Sequence, residues 1–133
     1  VEILALDVGM KRVGIARAST QARLAEPLKT VKTDETIGQL RGIVKENQVS
    51  MIVAGLPRSL SGEDTDQTRW VRDWVARAKA ELGLPFYWQD EALTSVKAES
   101  LKLKAKNKDV DAEAAAIILE DFLKTDKNDW VLV

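Results

Sequence analysis

Two short runs near the start, Ile3-Leu4-Ala5-Leu6 and Val13-Gly14-Ile15-Ala16, carry no charged or polar side chain and are separated by a Gly-containing turn. A strand with one wet face alternates apolar and polar residues, whereas a strand covered on both faces does not. The two runs therefore read as a buried hairpin, which commits the chain to a sheet with layers on either side. A third strand follows near Leu28 to Val31. Met51-Ile52-Val53-Ala54 is a fourth, stopped by Gly55-Leu56-Pro57 because proline cannot donate to a ladder. The fifth, Phe86-Tyr87-Trp88, runs straight into Asp90-Glu91.

Between the later strands the periodicity changes to helical. Ile37, Leu40, Ile43 and Val44 recur at helix spacing after Asp34, a good N-cap, in a helix that ends near Asn47. Trp70, Val71, Trp74, Val75, Ala78 and Leu82 make a wide apolar stripe closed by Gly83 and Pro85, with Asp64 or Asp66 as its expected cap. Two more helices are expected, from about Thr94 to Lys106 and from about Asp111 to Lys124, before a short apolar tail, Trp130 to Val133. The expected fold is a single α/β domain over residues 1–133, with a five-stranded mixed sheet flanked by helices on both faces.

What the chain lacks narrows its chemistry. With no Cys and no His in 133 residues, thiolate nucleophiles, Ser-His triads, imidazole bases and Cys or His zinc sites are excluded. Any catalysis has to run on carboxylates, Lys, Tyr or hydroxyls. The longest apolar run, Ala114 to Leu119, is far short of the roughly 20 residues of a membrane span, so no membrane is expected as a partner. The net charge of −1 gives no whole-molecule attraction for nucleic acid, but the charges are segregated. Val1 to Thr33 carries six basic and three acidic residues, and Asp109 to Asp129 seven acidic and two basic.

Three groups of carboxylates stand where sheet or helix ends. Asp7 closes the first strand before Gly9, with Lys11 and Arg12 in the same turn, where cations beside a metal-binding carboxylate suit a phosphate-bearing substrate. Asp90 and Glu91 close the fifth strand. Neighbours on an extended strand point to opposite faces, so only one of that pair can share a site with Asp7. Asp109 and Asp111 open the Ala-rich last helix. Asp111 is preferred because it leads directly into Ala112, Ala114, Ala115 and Ala116, which permit close packing on the sheet. Each position also has an ordinary structural reading, as turn or cap. Together, three carboxylates offer an oxygen-only cage for Mg²⁺ or Mn²⁺. Two such ions can activate a water on one side of a phosphodiester and stabilise the leaving oxygen on the other. Arg58, in the loop after the fourth strand, is a further candidate to hold phosphate. Trp70 and Trp74 read as core.

Four ordered segments then resemble the YqgF (RuvX) family: Leu4 to Ala16, Val53 to Pro57 with Gly62, Asp90 to Ser95, and Val110 to Leu119. The resemblance implies an RNase H-like fold, similar to RuvC-type Holliday junction resolvases. It implies a nuclease that processes the 5′ end of precursor 16S ribosomal RNA in the bacterial cytoplasm, with Asp7, Glu91 and Asp111 as its catalytic and metal-binding set. The chain departs from the family's pattern at Ala92 and Ser95, where relatives carry Arg and Thr. The expected substrate is structured RNA, with Lys11, Arg12 and Arg58 on its phosphates. The alternatives are branched DNA or a non-catalytic ribosome-assembly adaptor, and the assembly is a monomer or a homodimer.

Overall fold

The computed structural model describes residues 1–57, 62–90 and 110–133. A hairpin of β1 (Glu2–Val8) and β2 (Arg12–Ser19) is extended on one side by β3 (Glu26–Lys32), all antiparallel. On the other side β4 (Val49–Leu56) runs parallel to β1, and β5 (Phe86–Asp90) parallel to β4. A two-residue strand, β6 (Val131–Leu132), pairs antiparallel with β5 and is held by a bond from the Val133 N–H to the Phe86 carbonyl, 2.8 Å. The sheet order is β3-β2-β1-β4-β5-β6. It is mixed, as expected, but has six strands where five were expected. The sixth is made from the tail, too short to carry an alternating pattern of its own.

Helices cover both faces. On one side lie α1 (Thr36–Asn47) and α2 (Asp66–Leu82), over a core that includes Leu4, Leu6, Val13, Ile15, Ile52, Trp74 and Phe86. On the other lies α3 (Val110–Lys124), over Ile3, Ala5, Ala16, Ala18 and Val53. The residues of β1 thus divide by parity, even numbers toward α1 and α2 and odd numbers toward α3. That explains why the run from Ile3 to Leu6 is apolar without a break. The expected helix over about Thr94 to Lys106 lies outside the described residues.

The caps differ from expectation. A 3₁₀ turn, Thr33–Glu35, leads into α1, and no side chain caps that helix. The Thr36 hydroxyl instead donates to the Lys32 carbonyl at 2.8 Å. Helix α2 is capped by Thr65, not by Asp64 or Asp66, through reciprocal bonds with Thr68. Asp64 pairs with Arg72 at 3.2 Å. The fully buried Thr68 also donates to the Pro57 carbonyl, tying the exit of β4 to the first turn of α2. Helix α2 closes at Gly83 in the left-handed conformation, φ 67°, as its sequence suggests.

Candidate active site

The parallel arrangement sends the C-terminal ends of β1, β4 and β5 to one edge of the sheet, where Asp7 and Asp90 stand. Asp7 is half-buried near the end of β1 and shares its parity with Ile3 and Ala5, so it lies on the α3 face. It is flanked by glycine. Its partner on β2 is Gly14, and on the β4 side the ladder ends at Leu6 with Ala54, one step before Asp7 and Gly55.

Gly14 is where the last helix comes down. A Cβ built on Gly14 would lie 1.9 Å from the Asp111 carbonyl oxygen and 2.7 Å from the Ala112 nitrogen. Backbone therefore meets backbone, and the first turn of α3 sits directly on β2. The small residues at Ala112, Ala114, Ala115 and Ala116 are all buried against the sheet, as their sequence pattern suggests. The result brings Asp7 and Asp111 to the same face of the same sheet edge, on either side of one glycine.

Arg12 begins β2 and has the parity of Gly14 and Ala16. Its Nε donates to Asp111 Oδ2 at 3.1 Å, while its side chain remains 68% exposed. That exposure leaves a guanidinium able to face a second anion. The turn carrying Lys11 and Arg12 is braced from below. The Gly9 N–H bonds the Arg12 carbonyl at 2.9 Å, the Thr33 hydroxyl donates to the Gly9 carbonyl at 2.6 Å, and the Thr33 N–H bonds the Lys11 carbonyl at 3.1 Å. Thr33 is buried. Lys11 is exposed at the turn.

Asp90 pairs in register with Leu56 at the end of β5 and has the parity of Phe86 and Trp88, which pack on the α1–α2 side. It is therefore on the opposite face from Asp7. Glu91, Arg58 and Asp109 lie outside the described residues. Among the described residues no three carboxylates cluster closely enough to hold a metal ion. Gly14 and Thr33 were not singled out as site residues by sequence reasoning. A glycine inside an otherwise apolar strand is the signal for Gly14, since it marks a close backbone approach. Thr33 carries no such signal.

The family described as RuvX, Holliday junction resolvase, matches residues 1–125. A protein of Chloroflexus aurantiacus named "Putative pre-16S rRNA nuclease" is 38% identical, over 91% of this chain and 85% of its own length. One of the same name from Maridesulfovibrio salexigens is 37% identical, over 92% of this chain and 98% of its own. Among solved structures, T. thermophilus RuvC in complex with a Holliday junction substrate superposes with a TM-score of 0.64 at 14% identity, covering 99% of each chain. That similarity bears on the fold, which is RuvC-like and of the RNase H type.

Proposed function

Because this chain belongs to the RuvX family, we propose that it is a divalent-metal-dependent nuclease that trims structured precursor ribosomal RNA, in the bacterial cytoplasm. Nuclease activity is that of the family. The metal, the RNA substrate and the part in ribosome biogenesis are the finer reading. What supports it most is the meeting of Asp7 and Asp111 on one face about Gly14, with a cationic turn beside them.

The donor set fits a hard cation, because both groups are carboxylates and the chain has neither His nor Cys. Asp7 and Asp111 would hold Mg²⁺ or Mn²⁺ together with Glu91. Glu91 is the acid that the family resemblance implies, and Asp90 faces the α1–α2 layer, away from Asp7. When bound, two such ions supply the activation of water and the stabilisation of the leaving oxygen. The chain's residues do the positioning. Gly14 lets α3 approach until Asp111 reaches the sheet edge, and Gly14 and Gly55 leave the flanks of Asp7 without side chains. Arg12 orients Asp111 through Nε and presents its exposed guanidinium to a substrate phosphate, with Lys11 and Arg58 as further phosphate contacts.

A branched DNA substrate is the second reading, favoured by the family's own description. The test compares cleavage of precursor 16S ribosomal RNA and of a four-way DNA junction, with Mg²⁺ or Mn²⁺, by the wild type and by Asp7→Asn. Cleavage of the RNA that disappears in a folded Asp7→Asn protein is the expected result. Cleavage surviving that substitution overturns the site, and preference for the junction moves the substrate to DNA.

A further inference from the structure

The hairpin turn faces two ways. On the α3 side Arg12 meets Asp111. On the opposite side, Lys11 and Arg12 form one wall of a groove of about 810 Å³ that runs between the end of β3 and helix α2. Lys32 and Arg77, both exposed, line the same groove, and its floor includes the half-buried Trp70. Trp70, Trp74 and Arg77 recur at helix spacing on one face of α2, so the indole and the guanidinium are presented together. Trp74 is buried in the core, whereas Trp70 only leans on it.

Among the described residues, four cations and one carboxylate, that of Asp34, line this groove. Two of the four, Lys32 and Arg77, do not belong to the carboxylate site. Cations spaced around an accessible aromatic face match a polyanion whose bases are unstacked, because a base inside a duplex has no free π-face to offer. We propose that this groove binds the single-stranded RNA that continues from the scissile site, with Trp70 stacking a base and Lys11, Lys32 and Arg77 holding phosphates. The strand would cross the hairpin turn at Lys11 and Arg12, the residues common to groove and carboxylate site. The inference rests on the nuclease reading above and adds a substrate class to it: a structured RNA with a single-stranded extension.

The experiment measures binding by fluorescence anisotropy in EDTA, so that no cleavage intervenes. The probes are an RNA hairpin carrying a single-stranded oligouridine extension and the same hairpin with a blunt end. The extension is expected to tighten binding by the wild type. Trp70→Leu, which keeps the apolar packing and removes the ring, is expected to weaken the extended hairpin by roughly 5- to 150-fold, the range for one base-aromatic stack. The double substitution Lys32→Gln with Arg77→Gln, on two exposed side chains, is expected to lower the salt slope by roughly 1.4, at about 0.7 per contact on a single strand. Binding of the blunt hairpin stays as in the wild type for both variants. The proposal is overturned if the extension adds no affinity, or if both variants lose affinity equally for both probes. A protein that grips the extension through these residues yet cuts nothing upholds the groove and fails the nuclease reading.

Discussion

The Asp111 carbonyl occupies the volume that any side chain on Gly14 would need, with only 1.9 Å between that oxygen and a Cβ built on the glycine. Because Gly14 is the register partner of Asp7, this one contact sets how near the last helix can bring its acid to the acid of the first strand. The obstacle is backbone, not the flexible end of a side chain, so it cannot swing aside.

Gly14→Ala is therefore expected to lever α3 off the sheet. A small-to-large change in a packed interior costs about 1–3 kcal/mol, and Tm should fall by several degrees. Cleavage should be lost even under conditions where the variant remains folded. Thermal unfolding together with an activity assay below the transition checks this, and a variant with wild-type activity would contradict it.

Arg12→Gln separates charge from stability. The ion pair with Asp111 is well exposed, and such pairs contribute about 0–1 kcal/mol, so the denaturation midpoint should barely move. On the proposed reading, removing the cation beside Asp111 should tighten Mn²⁺ binding, while KM for the RNA rises with the loss of a phosphate contact. Calorimetric Mn²⁺ titration and steady-state kinetics read the two effects apart.

Thr33→Val removes the hydroxyl that bonds the Gly9 carbonyl at 2.6 Å and leaves the Thr33 N–H bond to Lys11 in place. A loss of about 1–3 kcal/mol is expected for a carbonyl left without its partner. Amide exchange at Gly9 should accelerate, because its bond to the Arg12 carbonyl closes the turn that Thr33 braces. Unchanged exchange at Gly9 would show that the turn holds its shape unaided.

Thr68→Val should destabilise by about 1–3 kcal/mol, since one buried hydroxyl serves both the cap of α2 and the Pro57 carbonyl. The neighbouring Asp66→Ala is expected to change stability by no more than about 0.5 kcal/mol, as Asp66 is almost wholly exposed and does not cap the helix. Urea denaturation of the two variants side by side distinguishes the cap from its acidic neighbours.

Where the sequence carried periodicity, it foretold the structure well. The apolar runs at Ile3 to Leu6 and Val13 to Ala16 became central strands, and the stripe from Trp70 to Leu82 became α2 with its close at Gly83. It did less well where several residues could serve one role. Asp34, Asp64 and Asp66 are all suitable caps by composition. Yet Thr65 is the one whose hydroxyl meets a backbone N–H, because Thr68 is pulled into the core beneath Pro57. The sixth strand escaped notice because two residues cannot display an alternation, and their pairing is decided by β5 offering an open edge.

The carboxylates divide along the same line. Local chemistry alone determined which side chains could bind a hard ion in a chain without His or Cys, and the two-sided burial of β1 required layers above and below it. Tertiary structure decided which acids share a face. Asp7 and Asp111 lie 104 positions apart in the chain, and only the descent of α3 onto Gly14 brings them to one face, while strand parity turns Asp90 to the other. A sequence pattern reports the period of an element but not the height at which another element rests upon it. That height is set by excluded volume, and here by a missing Cβ.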